Sequence, residues 1–194
     1  SHEAFAELRN HFESAGISIS DRHGNTAVDA LETSIANASH VCGMITAWEN
    51  RWALRNLINC HPNGVSQRTQ NTVAKAEAMT PDDYRGLLRD REHARLCHAN
   101  LSSHADAVVT FACPGPAPLW PGDRQGEPLN PKPTGDPVFN YPSSMLGAPV
   151  VTIPMMATSG LPVGLQVIGQ PNEDARVAAI ARWVHESLPP AVVP

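Results

Sequence analysis

What this sequence has little of narrows its function first. Only two of its fourteen basic residues are lysines, Lys75 and Lys132, and nineteen acidic residues leave a net charge of −5. The arginines are scattered rather than gathered on one face, so no electrostatic footprint for a phosphate backbone exists and nucleic acid is not an expected partner. No run approaches the roughly eighteen apolar residues that a bilayer span needs, and the opening SHEAFAELRN has neither a basic start nor an apolar signal core. No membrane partner and a cytoplasmic location are therefore expected. The four cysteines, Cys42, Cys60, Cys97 and Cys113, form no C-x-x-C pair and have no histidine at a metal-ligand spacing. They read as reduced thiols; no metal site and no cofactor are expected.

The common catalytic motifs are missing as well. There is no G-x-S-x-G elbow, phosphate loop, G-x-G-x-x-G or H-E-x-x-H, and neither Lys75 nor Lys132 has a serine three residues before it. Ser102, Ser103, His104 and Asp106 lie close in sequence, but a nucleophile, base and orienting acid normally converge from separate elements. That cluster reads as the polar end of a helix. His93 and His98, five residues apart, point to different faces of a helix. No residue is assigned a catalytic role.

What is present is a foldable chain. A length of 194 residues, 42% hydrophobic and 17% charged, fits one soluble globular unit, 1–194. Residues 1–105 read as mainly helical. Phe5, Leu8, Phe12 and Ala15 share a stripe that ends at Gly16. Ile17 and Ile19, alternating with serines, suggest a short strand before a polar turn at 21–25. From about Thr26 to His61 the spacing predicts one long helix or two broken near Gly43, ended by Pro62–Gly64. Thr80, Pro81 and Asp83 then supply a cap, a first-turn proline and an acidic first turn. Tyr84, Leu87, Leu88, Ala94, Cys97 and Leu101 form the buried stripe of the helix that follows.

The second part, 106–194, has a different character. Residues 107–112 form a continuous apolar run of strand length. Half of the eighteen prolines lie between Pro114 and Pro142, which predicts a long ordered loop over 113–142, with Trp120 and Phe139 as its anchors. The runs 148–155 and 161–169 flank a turn at Thr158–Gly160 and read as neighbouring strands, apolar on both faces. Val177, Ile180, Ala181, Val184 and Leu188 predict a closing helix over 172–188, started by Asn172.

From Thr134 the order TGDPVFNYPSSMLGAPVVTIPM and then SGLPVGLQVIGQPNEDARVAAIARWV resembles the C-terminal block of the amidase-signature family. In that family a "D-a-v-v-t-p" strand leads through a proline-rich stretch to a short helix, a G-x-P strand, G-L-P-x-G-L-Q and a last helix. Here these are Asp106 to Thr110, Gly147 to Pro149 and Gly160 to Gln166. The segment TPDDYRGLLRDRE is similar to the family's helix, with Asp83, Tyr84, Leu88 and Arg91 in matching places. The resemblance implies an α/β fold, the C-terminal portion of an α/β/α amidase: helices first, then mixed-sheet strands and a closing helix. It also implies amide hydrolysis through an acyl-serine, with a lysine deprotonating a bridging serine that activates the nucleophile.

In the family those three groups lie upstream of this block, the serines in a G-S-S-G-G-S run that also supplies oxyanion donors. Nothing like it is in this chain, and Ser143 and Ser144 do not match. The expected partners are accordingly an N-terminal amidase segment or a second copy, with a small-molecule amide as substrate of the complete enzyme. By position, Asp136, Phe139, Asn140 and Tyr141 are the candidates for contacting substrate, the polar pair orienting an amide or amine and the aromatics lining an acyl pocket. Two other readings stand beside this one: an inactive binding module on an amidase scaffold, and a self-sufficient enzyme with an unrecognised nucleophile.

Overall fold

The computed structural model describes residues 1–119 and 135–194; Trp120 and the middle of the proline-rich stretch lie outside them. Helix α1 (His2–Ser14) buries Ala4, Leu8 and Phe12 on one stripe. Gly16 follows at φ +80°, a left-handed turn open to a residue without a Cβ. The strand expected at Ile17 and Ile19 does not form. These residues sit between Gly16 and a turn in which the Asp21 carboxylate accepts the amides of His23 (3.0 Å) and Gly24 (3.3 Å), and no sheet strand lies beside them. Their alternation serves packing instead: both isoleucines rest half-buried on the core.

Helix α2 (Thr26–Ile35) starts at Asn25, whose side chain accepts the Ala27 and Val28 amides. Helix α3 (Ala38–Cys60) follows, so the break falls at 36–37 and not near Gly43. Near the end of α2, Ser34 Oγ donates to the Leu31 carbonyl at 2.7 Å, and the Ala36 amide reaches only Thr33; local bonds of this kind tighten and end a helix. Gly43 lies inside α3 with no atom within 4 Å of where a Cβ would stand. A helix not anticipated, α4 (Gln67–Glu77), is capped by Ser66 and held to α3 by Arg55 and Glu77 (Nε to Oε1, 2.8 Å). Helix α5 (Pro81–Asn100) carries the full capping box at Thr80 and Asp83. Its buried side is Leu87, Ala94, Cys97 and His98, while Tyr84 and Leu88 are partly covered.

Strands β1 (Val108–Phe111), β2 (Val150–Thr158), β3 (Leu161–Ile168) and β4 (Ala191–Val193) form one mixed sheet in the order β1-β3-β2-β4. Neighbours are antiparallel except β2 and β4, which are parallel. β2 and β3 form a hairpin closed by Ser159 (φ 51°) and Gly160 (φ 74°), the two positive-φ positions that match strand twist. Pro154 falls at the register shift between Ile153 and Met156, where a residue without an N–H is tolerated. Between β1 and β2, helix α6 (Asn140–Leu146) begins inside the stretch read as loop to 142. Pro142 fits its first turn, where amides have no intrahelical partner. The last helix is α7 (Asp174–Ser187). It starts two residues later than expected, because Asn172 adopts φ 68° and does not cap it.

Two apolar clusters divide the two sheet faces. Phe111, Ile153, Val163, Leu165 and Val167 meet α1 and α7, with Val177, Ala181 and Val184 buried from the helix side. On the opposite face Ile168, Val108 and Val150 meet α2, α3, α5 and α6. Among the described residues that second face is covered at one end only. Thr152 and Pro154 are exposed, which corrects the expectation of two strands apolar on both faces. Among the described residues no helix is long and apolar enough to cross a membrane.

Candidate pocket-wall site

The four residues singled out in the sequence fall on a short path from Asp136 to α6 that wraps the end of β1. The bond that organises it comes from β3. Gln166, 2% exposed, donates its side-chain amide to the carbonyl of Phe111 at 2.8 Å and to that of Phe139 at 3.1 Å. One buried amide thus ties the end of β1 to the entry of α6. A buried amide donor is stable only when paired, so Gln166 fixes the distance between these two segments.

Each candidate has a distinct environment. The Phe139 ring lies 5.3 Å from that of Phe111, tilted at 48°, within the usual range for an attractive aromatic pair. Asn140 is exposed and donates Nδ2 to the Ala112 carbonyl at 3.3 Å. Asp136 is half-buried, and its Oδ1 accepts the Val138 amide at 3.1 Å, closing the turn before α6. Tyr141 packs into the helical cluster, and its carbonyl accepts from Cys42 Sγ at 3.5 Å. The structure therefore brings Phe139 and Asn140 together at the sheet edge and sends Tyr141 toward the helices.

Helix α6 is held at both ends. Ser143 Oγ donates to the Asn140 carbonyl at 3.0 Å, so this serine serves the helix's own first turn. Arg95 of α5 donates Nε to the Met145 carbonyl at 3.1 Å, a cation at the negative end of the helix. Gly147 ends it at φ +65°, where a Cβ would lie 2.8 Å from Arg95 Nη2. On the sheet, a Cβ at Gly164 would meet Thr152 Cγ2 at 2.7 Å and Ala112 Cβ at 2.9 Å. Three strands close up there because that residue has no side chain.

Burial pushes the Cys42 thiol above its ordinary range, with Arg91 and Arg95 acting weakly the other way; a thiol shifted upward is not an activated nucleophile. Burial likewise lowers the pKa of His98. Among the described residues no group of three or more His, Cys, Asp or Glu side chains could hold a metal. An open cleft lined by His40, Met44, Met79, Asp83, Leu87 and Asp90 contains none of the four candidates. Gln166 and Arg95 are the neighbours of this path to which the sequence reading assigns no role. A single amide in the apolar run LPVGLQVIG is the signal that marks Gln166, whereas nothing local marks Arg95.

No family model matches the chain. It is 30% identical over 129 residues to the fatty acid amide hydrolase of Arabidopsis thaliana, covering 64% of this chain and 21% of that protein. The chain thus spans about a fifth of that curated relative's length. Among solved structures, an amidase superposes with a TM-score of 0.77 at 24% identity, covering 96% of this chain and 42% of that one. A bacterial aryl acylamidase described as an amidase-signature enzyme superposes at 0.60 with 16% identity, over 78% of this chain and 34% of that one. The ordered run from Gly147 through Gln166, the mixed sheet it builds and these likenesses agree: the chain shares the fold of amidase-signature enzymes and is similar in sequence to an amide hydrolase, which supports an amidase-signature family protein.

Proposed function

We propose that this chain is the C-terminal, pocket-wall portion of a cytoplasmic amidase-family hydrolase that cleaves carbon–nitrogen amide bonds. It works with a further segment that carries the two serines and the lysine, and residues 1–194 act as one unit within that enzyme. The supporting observation is the superposition of 96% of the chain on 42% of an amidase, in a sequence without a G-S-S-G-G-S run. In this reading the lysine takes a proton from the bridging serine, which takes one from the nucleophile as that oxygen attacks the amide carbon. The carbon–nitrogen bond breaks, the amine leaves with a proton, and water hydrolyses the acyl-serine.

This chain's own contribution is placement. Gln166 holds the Phe139 carbonyl, Asn140 bonds the end of β1, and Asp136 closes the turn before them. Asp136 and Asn140 orient the substrate's polar end, and Phe139 gives an apolar wall for its acyl part, while Tyr141 anchors α6 in the helical cluster. A serine-directed fluorophosphonate tests the reading. The isolated chain stays unlabelled and hydrolyses neither amides nor activated esters above background, whereas the longer polypeptide labels stoichiometrically. Stoichiometric labelling of the isolated chain would overturn it.

A further inference from the structure

Helix α6 is seven residues long, too short to be stable alone in water, so its place is set by what grips it. At its entry the grip comes from the sheet side, through Gln166 and Asn140. At its exit the grip comes from α5. Arg95 stands beside Ala94, which is 0% exposed, and two residues before Cys97, which is 8% exposed. The core therefore fixes the main chain of Arg95, and its side chain reaches out from a rigid helix.

Arg95 Nε donates to the Met145 carbonyl at 3.1 Å, one of the carbonyls that a helix end leaves without an intrahelical partner. Its guanidinium lies against Gly147, where a Cβ would stand 2.8 Å from Nη2 and 3.4 Å from Cζ. Gly147 ends α6 in the left-handed region, and β2 begins three residues later at Val150. No ion pair among the described residues involves Arg95, so no carboxylate draws its charge away from the end of α6. The other bond from the helical layer, Cys42 Sγ to the Tyr141 carbonyl at 3.5 Å, comes from a weak donor.

Resting on the reading above, we propose that Arg95 is a positioning residue of the amidase: it holds the exit of α6 so that Phe139 and Asn140, at the entry, stand where the substrate needs them. Helix α6 spans about 10 Å and is clamped at its entry by one buried amide, that of Gln166. Without Arg95 the exit is released, and the short helix pivots on that clamp. Arg95 touches no reacting atom in this reading; it acts through α6. A displacement of about 1 Å at an orienting group costs up to about a hundredfold in rate, and the loss of one of two anchors costs about tenfold on that scale.

The test uses the longer polypeptide that carries the serine run, with a fluorophosphonate to count working sites. Turnover is divided by labelled sites, so misfolded molecules drop out of the ratio. Arg95→Met keeps the apolar stem and removes the donor. Its kcat per labelled site falls about tenfold while KM changes by less than about threefold, and the labelled fraction stays near that of the wild type. The bond to Met145 is a single N–H···O contact, which an ammonium also makes, so Arg95→Lys returns kcat per site to within about threefold of wild type. A purely structural role gives another pattern: fewer labelled sites, each turning over at the wild-type rate. That pattern, a lysine variant no better than the methionine one, or a methionine variant with no labelled sites at all, overturns the proposal and leaves the half-enzyme reading standing. A wild-type polypeptide that neither labels nor hydrolyses amides overturns both.

Discussion

Val177 of α7 lies so close to Gly169 at the end of β3 that a Cβ on residue 169 would stand 1.9 Å from Val177 Cγ2. Helix and sheet meet there without an intervening side chain, and the contact sets how deeply α7 sinks onto the core formed by Val163, Leu165 and Val167. Gly169→Ala is expected to push α7 outward and to destabilise the chain by about 1–3 kcal/mol, the usual range for overpacking. A companion Gly169→Ala/Val177→Ala variant recovers part of that loss by opening space. Thermal or urea unfolding of both variants checks this; an unchanged midpoint in Gly169→Ala would refute it.

Gln166→Leu keeps approximate size and removes the donor that joins Phe111 to Phe139. Leaving a buried carbonyl without its partner costs about 1–3 kcal/mol. Gln166→Glu places a carboxylate against two carbonyl oxygens and is expected to be worse at neutral pH than at pH 4. Denaturant midpoints at both pH values, with amide exchange over 136–141, read the effect directly. An intact midpoint for Gln166→Leu would show that the clamp is dispensable.

His98 is 1% exposed, its Nε2 has no hydrogen-bond partner among the described residues, and burial lowers its pKa. The unfolded chain then binds this proton more readily than the folded one. Stability is fully present above the unfolded value near 6.5 and falls as the pH drops toward the folded value. His98→Phe is expected to flatten this slope without abolishing the contributions of other titrating groups. Melting temperatures between pH 7.5 and 5 for both chains measure it, and parallel curves would exclude His98 as the cause.

Replacing Asp136 or Asn140 with alanine in the complete enzyme is expected to raise KM or lower kcat by several-fold, with the melting temperature largely kept. Asp136 Oδ1 accepts the Val138 amide at 3.1 Å, and Asn140 is exposed and bonds the Ala112 carbonyl at 3.3 Å, so the loss of the Asn140 side chain costs the fold little. Kinetics across several amides distinguish a substrate role from a structural one. Unchanged kcat and KM in both variants would return these residues to loop-shaping.

The start of α5, the three long strands and the hairpin between β2 and β3 were readable because their signals are local. A threonine three residues before an aspartate caps a helix by its own chemistry, and Ser159–Gly160 can adopt the conformations a tight hairpin needs. The apolar runs announced β1, β2 and β3, and the spacing of Val177, Ala181 and Val184 announced α7. By itself the sequence also shows that no G-S-S-G-G-S run is written in these 194 residues.

Tertiary structure decided the rest. Ile17 and Ile19 alternate as a strand should, yet pairing needs a neighbour that only the fold can provide. The ends of α2 and α7 depended on single side chains, Ser34 closing one and Asn172 declining to cap the other. Gln166 meeting Phe111 and Phe139, 55 and 27 residues away in sequence, and Arg95 reaching α6 across 50 residues, belong to no local pattern. They exist because folding brings distant carbonyls to buried donors that would otherwise go unpaired, and burial makes those bonds obligatory.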